Sequence, residues 1–284
     1  MPSTARDRRD APVWDVARPA RPSRLAGVDM AGFRDLGRST AGHRAIPHPA
    51  VTLAVEFGAG PLVVEDAAGR RQQGSLLAGL GFGAGGIRVR GEDFAAVQVR
   101  LSPVVARSVL GVSPADLDGA VVDLEAVGGR EVARLREQLA GAASWEDRFA
   151  STDAWLARRR DPRRRVDPEV ARAWERIVAS RGLVRVDGLA AEVGWSRKRL
   201  WTRFRSQIGL PPKRAATLVR FDHAAHRLAA GEGAARVAAD GGYADQSHLH
   251  RNVVQFTGAT PGTVAGEPWL AVDDVAWPGH GTAG

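Results

Sequence analysis

The hydrophobic positions of residues 51–101 form short apolar or alternating runs that are separated by glycine. Runs of this kind, spaced by about ten residues, are typical of an antiparallel sandwich or barrel. The first two runs, VTLAVEF and PLVVEDA, are separated by Gly58, Ala59 and Gly60, which predicts a hairpin. We therefore expect a small antiparallel β-domain in this part of the chain.

From about residue 102 the hydrophobic spacing becomes that of helices. REVARLREQLAGA places Leu135 and Leu139 on one face, and SWEDRFASTDAWLARRR places Phe149 and Leu156 on another. This amphipathic pair would either pack on the β-domain or form a dimer interface, and the pattern is compatible with both. Residues 168–263 are predicted to be almost entirely helical, with short turns at Gly or Pro.

The changes of pattern divide the chain into five parts. The N-terminal residues are rich in Arg, Pro and Ala and lack the apolar stretch of a secretory signal. No run of about 18 apolar residues occurs, so no membrane span is expected. The predicted fold class is α+β, with a disordered arm at 1–28, a β-domain with a C-terminal helix pair at 29–160, a linker at 161–167, an all-α domain at 168–265 and a flexible tail at 266–284.

Positive charge is concentrated in the last third of the chain. Residues 1–161 hold 22 Lys and Arg and 20 Asp and Glu, whereas residues 162–266 hold 18 and nine. Such a region is expected of a surface that binds a polyanion, although a solvated Arg-rich face would give the same count. The chain has no cysteine, which excludes disulfides, thiolate catalysis and Cys-ligated metals.

Two segments of this basic region resemble each other: LAAEVGWSRKRLWTRFRSQIGLPP at 189–212 and VAADGGYADQSHLHRNVVQFTGATP at 237–261. Each has the features of a helix-turn-helix unit. A small residue allows two helices to cross closely, a glycine four residues later can take a positive φ, and a capping side chain begins the second helix. In the two copies these positions are Ala190 and Ala238, Gly194 and Gly242, and Ser196 and Asp245.

The second helix of each unit is predicted to bury one stripe and to expose a polar face. The buried stripes are Leu200, Phe204 and Ile208 in the first copy and Leu249, Val253 and Phe256 in the second. An α-helix fits the major groove of DNA, where polar side chains reach base edges and phosphates. The candidate DNA-contacting residues are Ser196, Arg197, Lys198, Trp201, Thr202 and Arg205 in the first unit and Gln246, Ser247, His250 and Arg251 in the second. For Trp201, packing in the core is the alternative.

The second copy also carries a family pattern, which consists of Gly242, Tyr243, Asp245, Gln246, Ser247, Leu249, Arg251 and Val253, followed by Gly258, Thr260 and Pro261. It resembles the G-F-x-D-x-S-x-F-x-R-x-F and G-x-T-P pattern of the AraC/XylS transcriptional regulators, with Leu249 and Val253 in place of aromatic residues. The resemblance implies a DNA-binding domain at 168–265, in which a long helix near 212–230 joins two helix-turn-helix units. It places base contacts at Lys198, Trp201 and Thr202, and at Gln246, Ser247, His250 and Arg251.

The N-terminal half resembles the cupin-like effector and dimerisation region of the same family, over roughly residues 40–160. An effector pocket in this barrel would be lined by Leu53, Val55, Phe57, Val64, Leu77 and Phe82, unless these residues are simply its packed core. Cupin metal sites need His-x-His and a carboxylate on neighbouring strands, whereas His43 and His48 lie five apart in a predicted loop. We therefore expect no metal, no cofactor, no catalytic residues and no enzyme activity.

These inferences predict a sequence-specific transcriptional regulator that binds double-stranded DNA in the cytoplasm, at the nucleoid. Control by a small-molecule effector, a homodimer, and RNA polymerase as the partner of an activator are left open. Two alternatives are a cupin enzyme whose basic half is a tether, and an architectural DNA binder without effector control. The first reading unit is expected to supply more of the affinity, because residues 187–205 carry five bases and two acids and residues 231–262 carry two bases and three acids.

Overall fold

The computed structural model describes residues 14–37, 42–66, 68–81, 86–117 and 119–277. Within these ranges an antiparallel β-region with accompanying helices precedes an all-helical half, so the predicted α+β fold class is confirmed. No helix in the described ranges is both long enough and apolar enough to cross a lipid bilayer.

The strands form two antiparallel sheets that face each other. They are β1 (Trp14–Ala17), β2 (Val28–Asp35), β3 (His43–Ala45), β4 (Val51–Glu56), β5 (Val63–Glu65), β6 (Arg71–Gln73), β7 (Leu76–Ala78), β8 (Ile87–Arg90), β9 (Ala95–Leu101) and β10 (Val121–Asp123). The larger sheet has the order β1-β2-β9-β4-β7-β10, and the smaller sheet has the order β3-β8-β5-β6. Alternation along β9 places Val97 and Val99 on the helix side of the larger sheet and Ala96 and Arg100 between the sheets.

The helices continue the chain after β9, with one short strand among them. They are α1 (Pro103–Leu110), α2 (Leu124–Gly128), α3 (Arg130–Gly141), α4 (Trp145–Arg159), α5 (Pro168–Ala179), α6 (Val186–Glu192), α7 (Arg197–Ile208), α8 (Pro212–Ala229), α9 (Ala234–Asp240), α10 (Gln246–Thr257), α11 (Pro261–Ala265) and α12 (Pro268–Ala276). The amphipathic pair, α3 and α4, packs on the larger sheet. The Trp145 ring lies so close to Gly32 that a Cβ there would be 2.3 Å from it, and it makes an edge contact with Phe57.

The hairpin predicted from Gly58, Ala59 and Gly60 is wrong. β4 pairs with β7 and β9 in the larger sheet, whereas β5 pairs with β6 and β8 in the smaller sheet, so this segment crosses between the sheets. The glycines are needed for a close backbone approach. A Cβ on Gly58 would lie 2.3 Å from the amide nitrogen of Ala95, and one on Gly60 would lie 1.8 Å from the carbonyl oxygen of Glu92.

Both ends of the described chain depart from the expected disordered arm and flexible tail. Trp14–Ala17 pair with β2, and α12 lies across the β-region, where the Trp269 ring stacks on the Trp14 ring at 4.0 Å. Trp277 is buried as well. Each aromatic side chain buries roughly 150–250 Å², which explains why such short segments are held in place. Residues 1–13 and 278–284 lie outside the described ranges.

The linker expected at 161–167 is largely exposed but forms hydrogen bonds to both halves. The backbone N–H of Asp161 donates to the carbonyl oxygen of Ser108 on α1 at 2.8 Å, and a 3₁₀ turn follows at Pro162–Arg164. Asp167 then accepts two hydrogen bonds of 2.8 Å from the guanidinium of Arg203 on α7. The unit that contains α7 is therefore attached to the β-region through structured contacts.

Candidate nucleic-acid interface

The first helix-turn-helix unit consists of α6, a glycine turn and α7. Gly194 has a φ of +68°, as the turn requires. The Ser196 hydroxyl accepts the backbone N–H of Arg199 at 3.2 Å and so begins α7. The predicted stripe of Leu200, Phe204 and Ile208 is fully buried. The predicted first unit is therefore formed as expected.

The second unit, α9 and α10, repeats this construction. Gly242 has a φ of +67°, and the Asp245 carboxylate accepts the backbone N–H of His248 at 2.7 Å. The predicted stripe of Leu249, Val253 and Phe256 is buried. The Tyr243 hydroxyl donates to Asn252 Oδ1 at 2.9 Å, and burial raises the pKa of Tyr243 to about 12. The aliphatic Leu249 and Val253 thus still give a packed unit.

The side chains predicted to contact DNA lie on the free faces of α7 and α10. All ten are exposed, and Trp201 is 46% exposed, so the alternative of core packing does not hold for it. The Arg205 guanidinium lies 5.4 Å from the Trp201 ring centroid. Arg197 forms an exposed ion pair with Asp187 at 2.9 Å. α7 therefore presents cations and an indole opposite its buried stripe.

The long helix α8 joins the two units. It has 18 residues, which at 1.5 Å per residue makes it about 27 Å long. Near its middle, Phe221 stacks on Phe256 of α10 with ring centroids 4.7 Å apart. The resemblance predicted this helix at about 212–230, and the structure places it at Pro212–Ala229.

A buried polar network lies between α8 and the β-region. It connects Asp222 and His226 of α8 to His48, to Arg100 of β9 and to Asp273 of α12. Arg100 Nη2 donates to His48 Nε2 at 2.7 Å and to Asp273 Oδ1 at 2.8 Å. His48 Nε2 is therefore an acceptor, and its Nδ1, which lies 2.9 Å from Asp222 Oδ1, is the donor. This arrangement requires a neutral His48.

His226 carries the opposite requirement. Its Nδ1 lies 2.8 Å from the carbonyl oxygen of Asp222 and its Nε2 lies 2.9 Å from Asp273 Oδ2, so both ring nitrogens donate. Burial alone would lower the pKa of His226, but the hydrogen bond to Asp273 and the charge of Asp222 outweigh burial and raise it to about 9. Burial and the charge of Arg100 instead lower the pKa of His48.

The two carboxylates of the network are ionised. Burial would raise their pKa values, but the surrounding histidines and Arg100 hold the pKa of Asp273 and that of Asp222 below the ordinary range. Ligand atoms of His48, His226 and Asp273 all lie within 4.8 Å of one another, a spacing that could suit a metal ion. The Arg100 guanidinium already contacts two of these three side chains, and its charge opposes a cation there. We therefore assign the cluster as an ion-pair network.

A cavity of about 120 Å³ lies between the two sheets, beside this network. Of the six residues predicted to line an effector pocket, Val64 does so. Leu53, Val55 and Leu77 point to the opposite face of the larger sheet, and Phe57 packs near α4. The sheet has a period of two residues, so the lining comes instead from the neighbouring positions Thr52, Ala54, Leu76 and Ala78. Phe82 lies outside the described residues.

Arg44 of β3 makes a second connection between the halves. Its Nη1 donates to the carbonyl oxygen of Thr257, the last residue of α10, at 2.6 Å. Its backbone N–H donates to Glu267 Oε2 at 3.0 Å. His43, which the sequence placed in a loop, begins the same strand and makes an edge contact with Trp14. The end of α10 is thus held against the smaller sheet.

Sequence reasoning missed the polar network because its residues are distributed over the chain between His48 and Asp273. One local signal could have located part of it. Asp222 and His226 are four residues apart, and residues at this spacing share one face of a helix. Arg100 shares the polar face of the alternating run VQVRL with Gln98, a pattern that predicts exposure, so the sequence gives no indication that Arg100 is buried.

A comparison with known protein families finds a match within the helical half. The family model described as a helix-turn-helix domain matches residues 189–266, which include α7, α8 and α10. A search of the curated proteins found no match.

Several solved structures are similar to this chain at low identity. ToxT from Vibrio cholerae O395 is 12% identical, with 85% of this chain and 98% of that chain covered and a TM-score of 0.46. The C-terminal domain of AraT, a response regulator from Geobacillus stearothermophilus, is 21% identical, with coverage of 36% and 86% and a TM-score of 0.34. The AraC-like transcriptional activator CuxR is 16% identical, with coverage of 68% and 80% and a TM-score of 0.30.

Proposed function

We infer that this chain, whose residues 189–266 form a helix-turn-helix domain of the AraC type, is a transcriptional regulator that reads specific DNA sequences with α7 and α10. One observation carries the proposal. Two helices of equal length, each capped by a polar side chain and buried along one stripe, leave their polar faces exposed. Such a face is what the major groove admits.

The proposed contacts divide into base reading and phosphate binding. Lys198, Trp201 and Thr202 of α7 would reach base edges, as would Gln246, Ser247, His250 and Arg251 of α10. Ser196, Arg197 and Arg205 would bind phosphates, which supply affinity without sequence information. The two reading helices, which α8 connects, would enter neighbouring segments of the major groove, about one helical turn or 34 Å apart.

We further propose that the β-region controls DNA binding in response to a small molecule. Its cavity lies next to the network that joins Arg100 to α8 and α12. Arg44 holds the end of α10 against the smaller sheet. A ligand that moves the sheets apart or together would therefore alter the position of the second reading helix relative to the first.

The partners that follow from this proposal are double-stranded DNA and one small effector. RNA polymerase would be a further partner if the protein activates transcription, and a homodimer would bind repeated operators. The proposed location is the cytoplasm, at the nucleoid.

The test is competition between DNA sequences at two salt concentrations. Full-length protein is used to enrich a duplex from random DNA, and that duplex and a scrambled one are then titrated. We expect the enriched duplex to bind at least about 10³-fold more tightly. Lys198→Ala/Arg251→Ala should reduce this ratio, whereas Arg70→Ala/Arg71→Ala, which removes the same charge from exposed positions of the β-region, should not. Equal affinity for both duplexes would contradict the proposal.

A further inference from the structure

The cavity between the sheets is lined mainly by small and aliphatic side chains. Ala45, Ala54 and Ala78 create the space, and Leu62, Leu76 and Ile87 complete an apolar wall. At about 120 Å³ it is slightly smaller than the cavity of about 150 Å³ that is known to admit benzene. The cavity is also partly open to the surface, so it suits a compact molecule of about one aromatic ring whose substituent extends towards the opening.

Three buried hydrogen-bonding groups without a partner belong to residues that line this cavity. Arg100 Nε, Trp269 Nε1 and Thr52 Oγ1 are buried on lining residues, and none has a hydrogen-bond partner in the part of the chain that the structure describes. Arg100 is only 4% exposed. The first two atoms can only donate, and a hydroxyl can donate as well. A buried donor without a partner is costly, so these groups favour a ligand that carries an acceptor.

The charge of the surrounding network excludes a strongly charged ligand. Arg100 and His226 are cationic, Asp222 and Asp273 are anionic, and His48 is held neutral by its hydrogen bonds. These charges cancel. An anionic ligand would lie beside Asp273, and a cationic ligand would lie beside Arg100, both of which line the cavity. Either ion would also be poorly solvated among the aliphatic side chains.

We propose that the cavity binds an uncharged, largely apolar molecule of about one aromatic ring, with a hydrogen-bond acceptor such as a carbonyl oxygen directed at Arg100, Trp269 and Thr52. This inference rests on the proposed effector control and specifies its ligand class. Trp269 and Asp273 belong to α12, and Glu267 before α12 binds Arg44. An occupied cavity would therefore stabilise α12 and, through Arg44, the end of α10.

The experiment compares three probes of similar size on the full-length protein by calorimetric titration. Acetophenone is neutral with an acceptor, ethylbenzene lacks the acceptor, and benzoate is anionic. We expect acetophenone to bind one site per chain, ethylbenzene to bind about 5-fold more weakly for the loss of one hydrogen bond, and benzoate to bind most weakly. Failure of acetophenone to bind, or tightest binding of benzoate, would overturn the inference.

Variants locate the site. Ala54→Leu fills the cavity and should abolish acetophenone binding, whereas Ala68→Leu, on an exposed loop of the β-region, should leave it unchanged. Thr52→Val keeps the side-chain shape but removes the hydroxyl, so it should reduce the preference for acetophenone over ethylbenzene. This variant tests the site even if Ala54→Leu fails to fold. Unchanged preference in Thr52→Val, or unchanged binding in a folded Ala54→Leu, would refute this site. DNA titration of the same samples distinguishes failure of this inference from failure of the proposed function. Specific DNA binding without acetophenone binding would contradict only the proposed ligand class and leave the proposed DNA-binding function intact.

Discussion

His226 of α8 donates from Nε2 to Asp273 Oδ2 of α12 at 2.9 Å. This hydrogen bond joins the helix between the two reading units to the helix that closes the cavity. Since Asp273 also accepts from Arg100 of β9, one carboxylate connects three parts of the fold. The helical half and the β-region are therefore joined by buried hydrogen bonds, and His48 and Asp273, which line the cavity, both contact α8.

The protonation of His226 predicts how stability depends on pH. Its pKa is about 9 in the folded protein against an ordinary value of 6.5, so its contribution is fully present below about pH 6.5. The contribution is lost as the pH rises from about 6.5 to about 9, and is on the order of 3 kcal/mol. We expect the Tm of the full chain to fall over this range, and His226→Gln to flatten the fall. Tm measured at pH 7 and pH 9 by circular dichroism checks this. The exposed His250→Gln serves as the control, and an identical fall in His226→Gln and the wild type would contradict the prediction.

Truncation of two aromatic residues of α7 should affect different properties, the stability of the fold in one case and the affinity for DNA in the other. Phe204 is fully buried, so Phe204→Ala should destabilise the protein by about 3–5 kcal/mol through loss of apolar burial and a new cavity. Trp201→Ala, on the exposed face, should change stability by less than about 0.5 kcal/mol and yet weaken DNA binding. Urea unfolding and fluorescence anisotropy with an enriched duplex measure the two effects. If Trp201→Ala were strongly destabilising and bound DNA normally, the exposed face would not be the reading face.

The glycines of the two turns should differ in their tolerance of alanine. Both have a positive φ, and this conformation alone costs an L-residue about 1 kcal/mol. A Cβ on Gly242 would also lie 2.4 Å from Leu183 Cδ2, whereas one on Gly194 would meet nothing within 4 Å. Because Leu183 is half-exposed and its side chain can move aside, we expect Gly242→Ala to be only slightly more destabilising than Gly194→Ala in urea unfolding. The reverse order would show that the second turn is more adaptable than its packing indicates.

The first unit should supply more of the affinity for DNA than the second. Lys198 and Arg205 are exposed on α7, while the basic residue among the contacts of α10 is Arg251. Lys198→Ala/Arg205→Ala should weaken binding more than Arg251→Ala, and the loss of the phosphate contact of Arg205 should reduce the slope of log K against log salt by about one. Anisotropy titrations at several salt concentrations provide both numbers. A greater loss of affinity in Arg251→Ala than in the double variant would reverse the ranking.

The helical half could be predicted from sequence in detail, whereas the β-region could not. Helix-turn-helix units are local, so Gly194, Ser196 and the stripe of α7 could be placed from a spacing of a few residues. Sheet pairing is not local, and the same glycines fit a hairpin or a crossing between sheets. Leu53 was predicted to line the pocket, but its neighbours Thr52 and Ala54 do so instead. A shift of one residue along a strand moves a side chain to the opposite face of the sheet. Trp14 and α12 were missed because their burial depends on contact with each other across the whole length of the chain.

The reading of one DNA box by each helix is tested most directly by selecting random duplexes with three proteins: wild type, Lys198→Ala/Thr202→Ala and Gln246→Ala/Arg251→Ala. The wild type should enrich a motif of two boxes about ten base pairs apart, since the reading helices are proposed to occupy successive turns of one face of the DNA. Each variant should lose sequence preference in one box, a different one in each case, and keep it in the other. Enrichment of no motif by the wild type, or loss of the same box in both variants, would contradict the assignment of α7 and α10 as two independent readers.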